Sequence, residues 1–213
     1  IEEENSRGKL IMPCGTGKSL AGYWISQKLE SKKILVAVPS LALIRQTLEV
    51  WARESVSKNI HINWIAVCSD ESVAVAKRDD ISVLTQDLGI KIHTNPDEIA
   101  EWLKNQQNEI TVVFTTYQSG EATAAASRKA KVIFDLGIMD EAHKTTGKSD
   151  SLYSHLLFDE NIEISKRIFM TATERRYQGN SDEIVSMDNF SLYGDTFEFL
   201  SFKEALKSKP PIL

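Results

Sequence analysis

Apolar residues along this chain alternate between two rhythms. Near-continuous hydrophobic runs occupy Leu10–Met12, Ile34–Val38, Ile62–Cys68, Ile110–Thr115, Val132–Met139 and Arg167–Thr171. Short runs of this kind, rich in β-branched residues, predict strands buried on both faces, as in a parallel sheet. Between them, apolar residues recur at helical spacing. Leu41, Ile44, Leu48 and Trp51 form one such stripe, and Ser40 just before it is a natural helix cap. Leu20, Trp24 and Leu29 predict a stripe on an earlier helix, and Ile99, Trp102 and Leu103 on a later one, with the aromatics read as core. The stretch "EATAAASRKA" favours another helix whose Lys and Arg form a solvated face.

Strands alternating with helices predict βαβ units. The expected fold is therefore α/β, a doubly wound and mostly parallel sheet with helices on both faces. Ligands of such sheets sit beyond the carboxyl ends of the strands. The polar segments Ser69–Thr94 and Gly120–Lys131 read as excursions from that core. Residues 1–187 are expected to form one domain. Asp188–Leu213 loses the rhythm, ends in "KSKPPIL", and reads as a linker or extension.

Composition narrows the class without naming it. The 213 residues are 42% hydrophobic and 26% charged, an ordinary globular balance, and no apolar run approaches the ~20 residues that span a bilayer. No membrane partner is expected. Cys14 and Cys68 lack the spacing of a zinc site or disulfide framework, so a reducing cytoplasm is the simplest compartment. The net charge of -5 argues against a whole-surface basic footprint for nucleic acid. Backbone N–H groups, hydroxyls and helix N-termini can still grip phosphate locally.

The chemistry begins in "KLIMPCGTGKSLAG". It fits the phosphate-loop pattern G-x-x-x-x-G-K-[ST] except that Met12 stands at the first glycine. A strand, a tight turn and a helix supply backbone donors and a helix N-terminus aimed at one anion. Gly15 and Gly17 permit the backbone angles and the close approach, Lys18 can reach the outer phosphates and Ser19 can ligate Mg²⁺. Met12 ends the strand upstream of those donors. The alternative is a chance glycine turn.

A second motif, "IMDEAHK", closes the run "KVIFDLGIM". It would bring Asp140 and Glu141 to the same sheet edge, Asp140 for Mg²⁺, partly through water, and Glu141 as base for an attacking water. By itself it is also a common acidic helix cap. "FMTATER" ends another strand, with hydroxyls at Thr171 and Thr173. "VPSLALIRQT" and "TTYQS" offer hydroxyls, amides and a helix start. Those groups hold sugar–phosphate without reading sequence.

Taken in order, "PCGTGKS", "VPSLALIRQT", "TTYQS", "DEAH" and "TAT" resemble the successive motifs of superfamily-two helicases, of DEAD/DEAH type. The likeness covers about Lys9–Arg175. "RGKLIMPCGTGKS", "AVCSD", "TVVFTTYQS" and "FDLGIMDEAHKTTG" are most similar to the helicase-like motor of type I, type III and single-polypeptide restriction enzymes. The resemblance implies the first RecA-like domain of an ATP-driven DNA translocase or helicase, serving restriction or antiviral defence. It implies ATP and Mg²⁺ as cofactors and DNA as partner.

By the same resemblance, Gly15, Thr16, Gly17, Lys18 and Ser19 bind ATP phosphates, and Ser19 and Asp140 hold Mg²⁺. Lys18, Asp140, Glu141 and His143 are the catalytic set. Pro39, Ser40, Thr116, Tyr117 and Gln118 are implied to lie along DNA, and Thr171, Ala172 and Thr173 to couple nucleotide state to grip. Helicase motors hydrolyse ATP between two such domains, the second giving an arginine finger. The chain ends soon after "TAT", so a second RecA-like domain is expected elsewhere, with any nuclease, methyltransferase or specificity modules. The upstream glutamine segment that recognises adenine also has no counterpart. Two other readings stay open: a nucleotide-gated regulatory or scaffold module, and an RNA-directed helicase.

Overall fold

Eight strands of the computed structural model, which describes residues 6–68, 91–106, 109–177 and 183–208, form one parallel sheet. In chain order they are β1 (Arg7–Ile11), β2 (Lys33–Val38), β3 (Asn63–Val67), β4 (Ile92–His93), β5 (Thr111–Thr116), β6 (Phe134–Asp140), β8 (Ile164–Thr171) and β10 (Asp195–Phe199). The spatial order is β10-β1-β8-β6-β2-β5-β3-β4, and every pairing in it is parallel. Two further short strands, β7 (Gly147–Lys148) and β9 (Ile184–Val185), pair antiparallel apart from it. The six strands predicted from hydrophobic runs are all present, with ends shifted by a few residues.

The helices α1 (Lys18–Lys28) and α2 (Leu41–Ser57) cover one face. Their shared core holds Tyr23, Ile44, Leu48 and Trp51 over β2, β5, β6 and β8. Helices α3 (Pro96–Lys104) and α4 (Gly120–Ala130) cover the other through Ile99, Leu103, Ala124 and Ala126. Burying each large side chain is worth roughly 1.5–3 kcal/mol, so both layers are held by ordinary hydrophobic packing. Tyr23 and Trp51 meet edge-on at 5.4 Å, and Trp51 meets Phe114 at 5.8 Å.

Three expectations need correction. Gly120–Lys131 is no excursion from the core: it forms α4, which buries Ala124 and Ala126 against the sheet. Helix α1 does not bury the Leu20–Trp24–Leu29 stripe. Its buried face is Lys18, Gly22, Tyr23 and Ser26, and Gly22 lets it press close to Ile138 and Met170. Trp24 is 51% exposed and donates from Nε1 to Glu54 Oε2 at 3.1 Å, so it is not core. The segment read as a linker contributes β10, the sheet's edge strand, preceded by α5 (Phe190–Tyr193) and followed by α6 (Phe202–Lys207). A strand with one partner buries little, which is why "DTFEF" carries no apolar run. Gly194 (φ 68) immediately precedes it, where a Cβ would lie 2.0 Å from the Arg7 carbonyl oxygen. Most of Ser69–Thr94 lies outside the described residues.

Candidate active site

Parallel pairing brings the carboxyl ends of β1, β8 and β6 to one edge. The loop after β1 is the predicted phosphate loop. Gly15 (φ 83) and Gly17 (φ 87) take left-handed backbone, and Gly17 is the residue from which α1 starts. Thr16 Oγ1 donates to the Pro13 carbonyl at 2.7 Å, tightening the turn. Met12 lies beyond the last residue of β1, and its N–H donates to Thr171 O at 2.9 Å. It anchors the loop to β8 upstream of the glycines, so its side chain stands where the pattern's missing glycine does no work.

Asp140 ends β6, and Glu141 follows in left-handed backbone (φ 50, ψ 43). A non-glycine residue there carries strain of order 1–3 kcal/mol, and here that turn aims Glu141 into the cleft. A cavity of about 440 Å³ is lined by Gly15, Lys18, Ser19, Asp140 and Glu141, with Gln46 of α2 opposite. Lys18 Nζ lies 3.9 Å from Glu141 Oε1 and 3.3–3.4 Å from the carbonyls of Pro13 and Met12. These contacts are long, so a buried ammonium is only weakly held.

Asp140 is 5% exposed and accepts one N–H, from Glu141 at 2.9 Å. Burial pushes its carboxyl up to about 6; the neighbouring Glu141 charge adds to this, while that N–H and Lys18 oppose it. A buried carboxylate this poorly compensated, beside the Ser19 hydroxyl, suits a hard divalent cation that keeps waters and takes its other ligands from phosphate. Among the described residues there is no group of three or more protein metal ligands, and a cation held in that way does not require one.

His143 lies behind the carboxylates, its Nδ1 3.3 Å from Glu141 Oε2 and 3.1 Å from Thr171 Oγ1. Burial lowers its pKa from the ordinary histidine value, leaving the ring neutral at pH 7. Thr171 Oγ1 in turn donates to Thr173 O at 2.9 Å and accepts from Thr173 N–H at 3.2 Å. The "DEAH" and "TAT" segments are thus joined by side-chain hydrogen bonds.

The residues expected along DNA divide. Ser40 and Gln118 are exposed and Pro39 half-buried, all at the carboxyl edge. Thr116 and Tyr117 are fully buried and cannot lie along a strand. Thr116 Oγ1 is bonded to Ser119 Oγ at 2.8 Å, and the Tyr117 hydroxyl donates to Asp140 O at 2.7 Å. Tyr117 instead braces the strand end that carries the acidic pair. Sequence reasoning also missed Trp51, whose Nε1 donates to Ser19 O at 2.9 Å, and Tyr193, whose hydroxyl meets Thr145 Oγ1 at 2.7 Å behind the turn. No local pattern announces contacts between residues so far apart in the chain.

Against known families, the domain described as "Type III restriction enzyme, res subunit" matches residues 1–176. The chain belongs to this family. Among solved structures, a nuclease-deletion mutant of the Type ISP restriction-modification enzyme LlaGI, in complex with a DNA substrate mimic, is 30% identical with a TM-score of 0.75. The alignment covers 96% of this chain and 19% of that one. The ATP-dependent Type ISP enzyme LlaBIII bound to DNA is 31% identical, again with a TM-score of 0.75, over 96% of this chain and 14% of the other. The helicase domain of Hef from Pyrococcus furiosus, 18% identical with a TM-score of 0.55, shares the fold. A probable helicase of African swine fever virus (isolate Tick/South Africa/Pretoriuskop Pr4/1996) is 32% identical over 192 residues, 89% of this chain and 19% of that protein. The chain therefore spans between 14% and 36% of these relatives' own length, and its mostly parallel sheet has the RecA-like α/β fold. No helix among the described residues is long and apolar enough to cross a membrane.

Proposed function

We propose that this chain is the first RecA-like motor domain of an ATP-dependent DNA translocase or helicase working in restriction or defence against foreign DNA. One observation carries the reading: the phosphate loop, buried Asp140 and half-buried Glu141 line a single cleft, with Lys18 and Glu141 3.9 Å apart. Backbone N–H groups of Gly15–Ser19 and the Lys18 ammonium hold the phosphates. Ser19 and Asp140 would hold Mg²⁺, which would supply charge neutralisation for the phosphates when bound. Glu141 orients the attacking water and takes its proton on the carboxylate; the strained backbone at Glu141 keeps that carboxylate in the cleft. His143, neutral and bonded to Thr171, links the acidic turn to the segment through Thr173, the route we assign to coupling with DNA. A purely regulatory binder has no use for a base at Glu141.

Pro39, Ser40 and Gln118, at the carboxyl edge, serve as backbone contacts to DNA. The relatives' DNA complexes support this partner; nuclease, methyltransferase or specificity modules and a second RecA-like domain belong to the same proposal. Turnover needs that second domain, because an arginine finger is worth ~10³–10⁵ in rate in related phosphoryl-transfer enzymes. The isolated chain should bind ATP weakly and turn over little. Phosphate release by the full-length protein on double-stranded DNA, single-stranded DNA and RNA tests the reading. Stimulation by DNA is expected; stimulation by RNA alone, or turnover by the isolated chain at the full rate, would overturn it.

A further inference from the structure

Cys14 lines two cavities. One is the phosphate cleft; the other, of about 460 Å³, lies between the end of β1, the turn after β8 and the start of α6. The second is apolar in character, walled by Ile11, Pro13, Cys14, Ala172, Phe199 and Phe202. Phe199 and Phe202 are 60% and 61% exposed. Two aromatic rings in solvent, flanking a groove of ligand-binding size beside a phosphate site, call for an occupant with a flat apolar face.

Sheet order supplies the direction. Asp140 and Glu141, which mark where the terminal phosphate reacts, end β6, and β2 with its following helix α2 lies beyond β6. Strand β10 is on the opposite side of β1. A nucleotide with its terminal phosphate toward β6 therefore runs its nucleoside toward β10, where the groove opens. We propose that this groove seats the nucleotide base, stacked on Phe199 and Phe202. The proposal rests on the nucleotide reading above. Stacking uses the π-face that every base has, so the seat favours large bases and separates adenine from guanine poorly. Thr173 and Ser201 are the polar residues lining the groove. Ser201 is engaged in its own helix cap with Glu204, at 3.2 Å to the backbone N–H and 2.6 Å to the carboxylate.

The test compares two probes, Mg·ATP and Mg·tripolyphosphate, by equilibrium binding to the protein. Phe202→Ala should weaken ATP roughly 5- to 100-fold, leave tripolyphosphate unchanged, and be rescued by Phe202→Trp. Phe199→Ala should act in the same direction, whereas Phe190→Ala, an exposed ring on α5 outside the groove, should not. Lys18→Ala should weaken both probes. If Lys18→Ala weakens neither, the nucleotide reading fails. If it weakens both while Phe202→Ala leaves the ATP-to-tripolyphosphate ratio unchanged, the base seat alone is refuted. The base seat is refuted equally if Phe202→Ala weakens only oligonucleotide binding.

Discussion

Arg167 on β8 and Lys18 in the phosphate loop are both buried cations, 2% and 8% exposed, and their surroundings differ sharply. Arg167 donates to the carbonyls of Leu156 (3.2 Å), Ile162 (2.9 Å) and Ile164 (3.3 Å) and pairs with Asp159. Arg7 joins the same carboxylate at 2.8 Å. Burial pushes the Arg167 guanidinium down to about 10, with nearby Arg7 adding to this and Asp159 opposing, so it stays charged at neutral pH. Lys18 has only long contacts, and Asp140 across from it has one N–H. A structural charge is finished by the protein itself. The charges of the cleft are left for something else to finish, and that is the physical signature of a binding site.

Breaking each cluster should separate function from stability. The largest effect is expected in the cleft: Lys18→Ala should lower ATP hydrolysis by the full-length protein on the order of 10²–10³-fold, with the thermal midpoint nearly unchanged. Arg167→Met should do the reverse. Three carbonyls lose their donor, so urea denaturation should report roughly 2–4 kcal/mol of lost stability, with residual folded protein still binding nucleotide. Tyr117→Phe lies between the two. It removes the hydrogen bond to the Asp140 carbonyl, which should cost about 1 kcal/mol in denaturation and lower kcat while KM for ATP holds.

The smallest effect belongs to Asp159. Its two arginines hold its carboxyl below the ordinary range, although burial opposes them. A depressed pKa contributes stability that is fully present above the unfolded value of about 3.9 and lost as pH falls below it. Because Asp159 is well exposed, Asp159→Asn should cost at most about 1 kcal/mol near pH 7 and flatten the acid limb of a stability-against-pH curve below about pH 4. An unchanged acid limb would show that Asp159 contributes nothing to it.

This contrast also explains what the amino-acid sequence discloses. The central strands were legible because burial on both faces writes an unbroken apolar run. Edge strand β10 and the two-residue strands bury little and leave no such mark. The phosphate loop and the acidic turn were legible because their working atoms lie within a few residues of one another. Tyr117, Trp51 and Tyr193 were not, since their partners stand 23, 32 and 48 residues away and only the fold brings them together. Tyr117 shows the cost of reading a motif without burial: the helicase resemblance implied a place along DNA, and its hydroxyl is already committed to Asp140. Trp24 shows the converse, an aromatic assigned to the core that stands in water.

The central claim is that Lys18 binds the nucleotide while Glu141 acts on it. The most direct measurement is Mg·ATP affinity and single-turnover hydrolysis for Lys18→Ala and Glu141→Gln side by side. Glu141→Gln should hold ATP at least as tightly as the unaltered protein and fail to cleave it, while Lys18→Ala should lose the binding itself. If Lys18→Ala binds ATP with unaltered affinity, or Glu141→Gln hydrolyses it at the full rate, the roles assigned to this cleft are wrong.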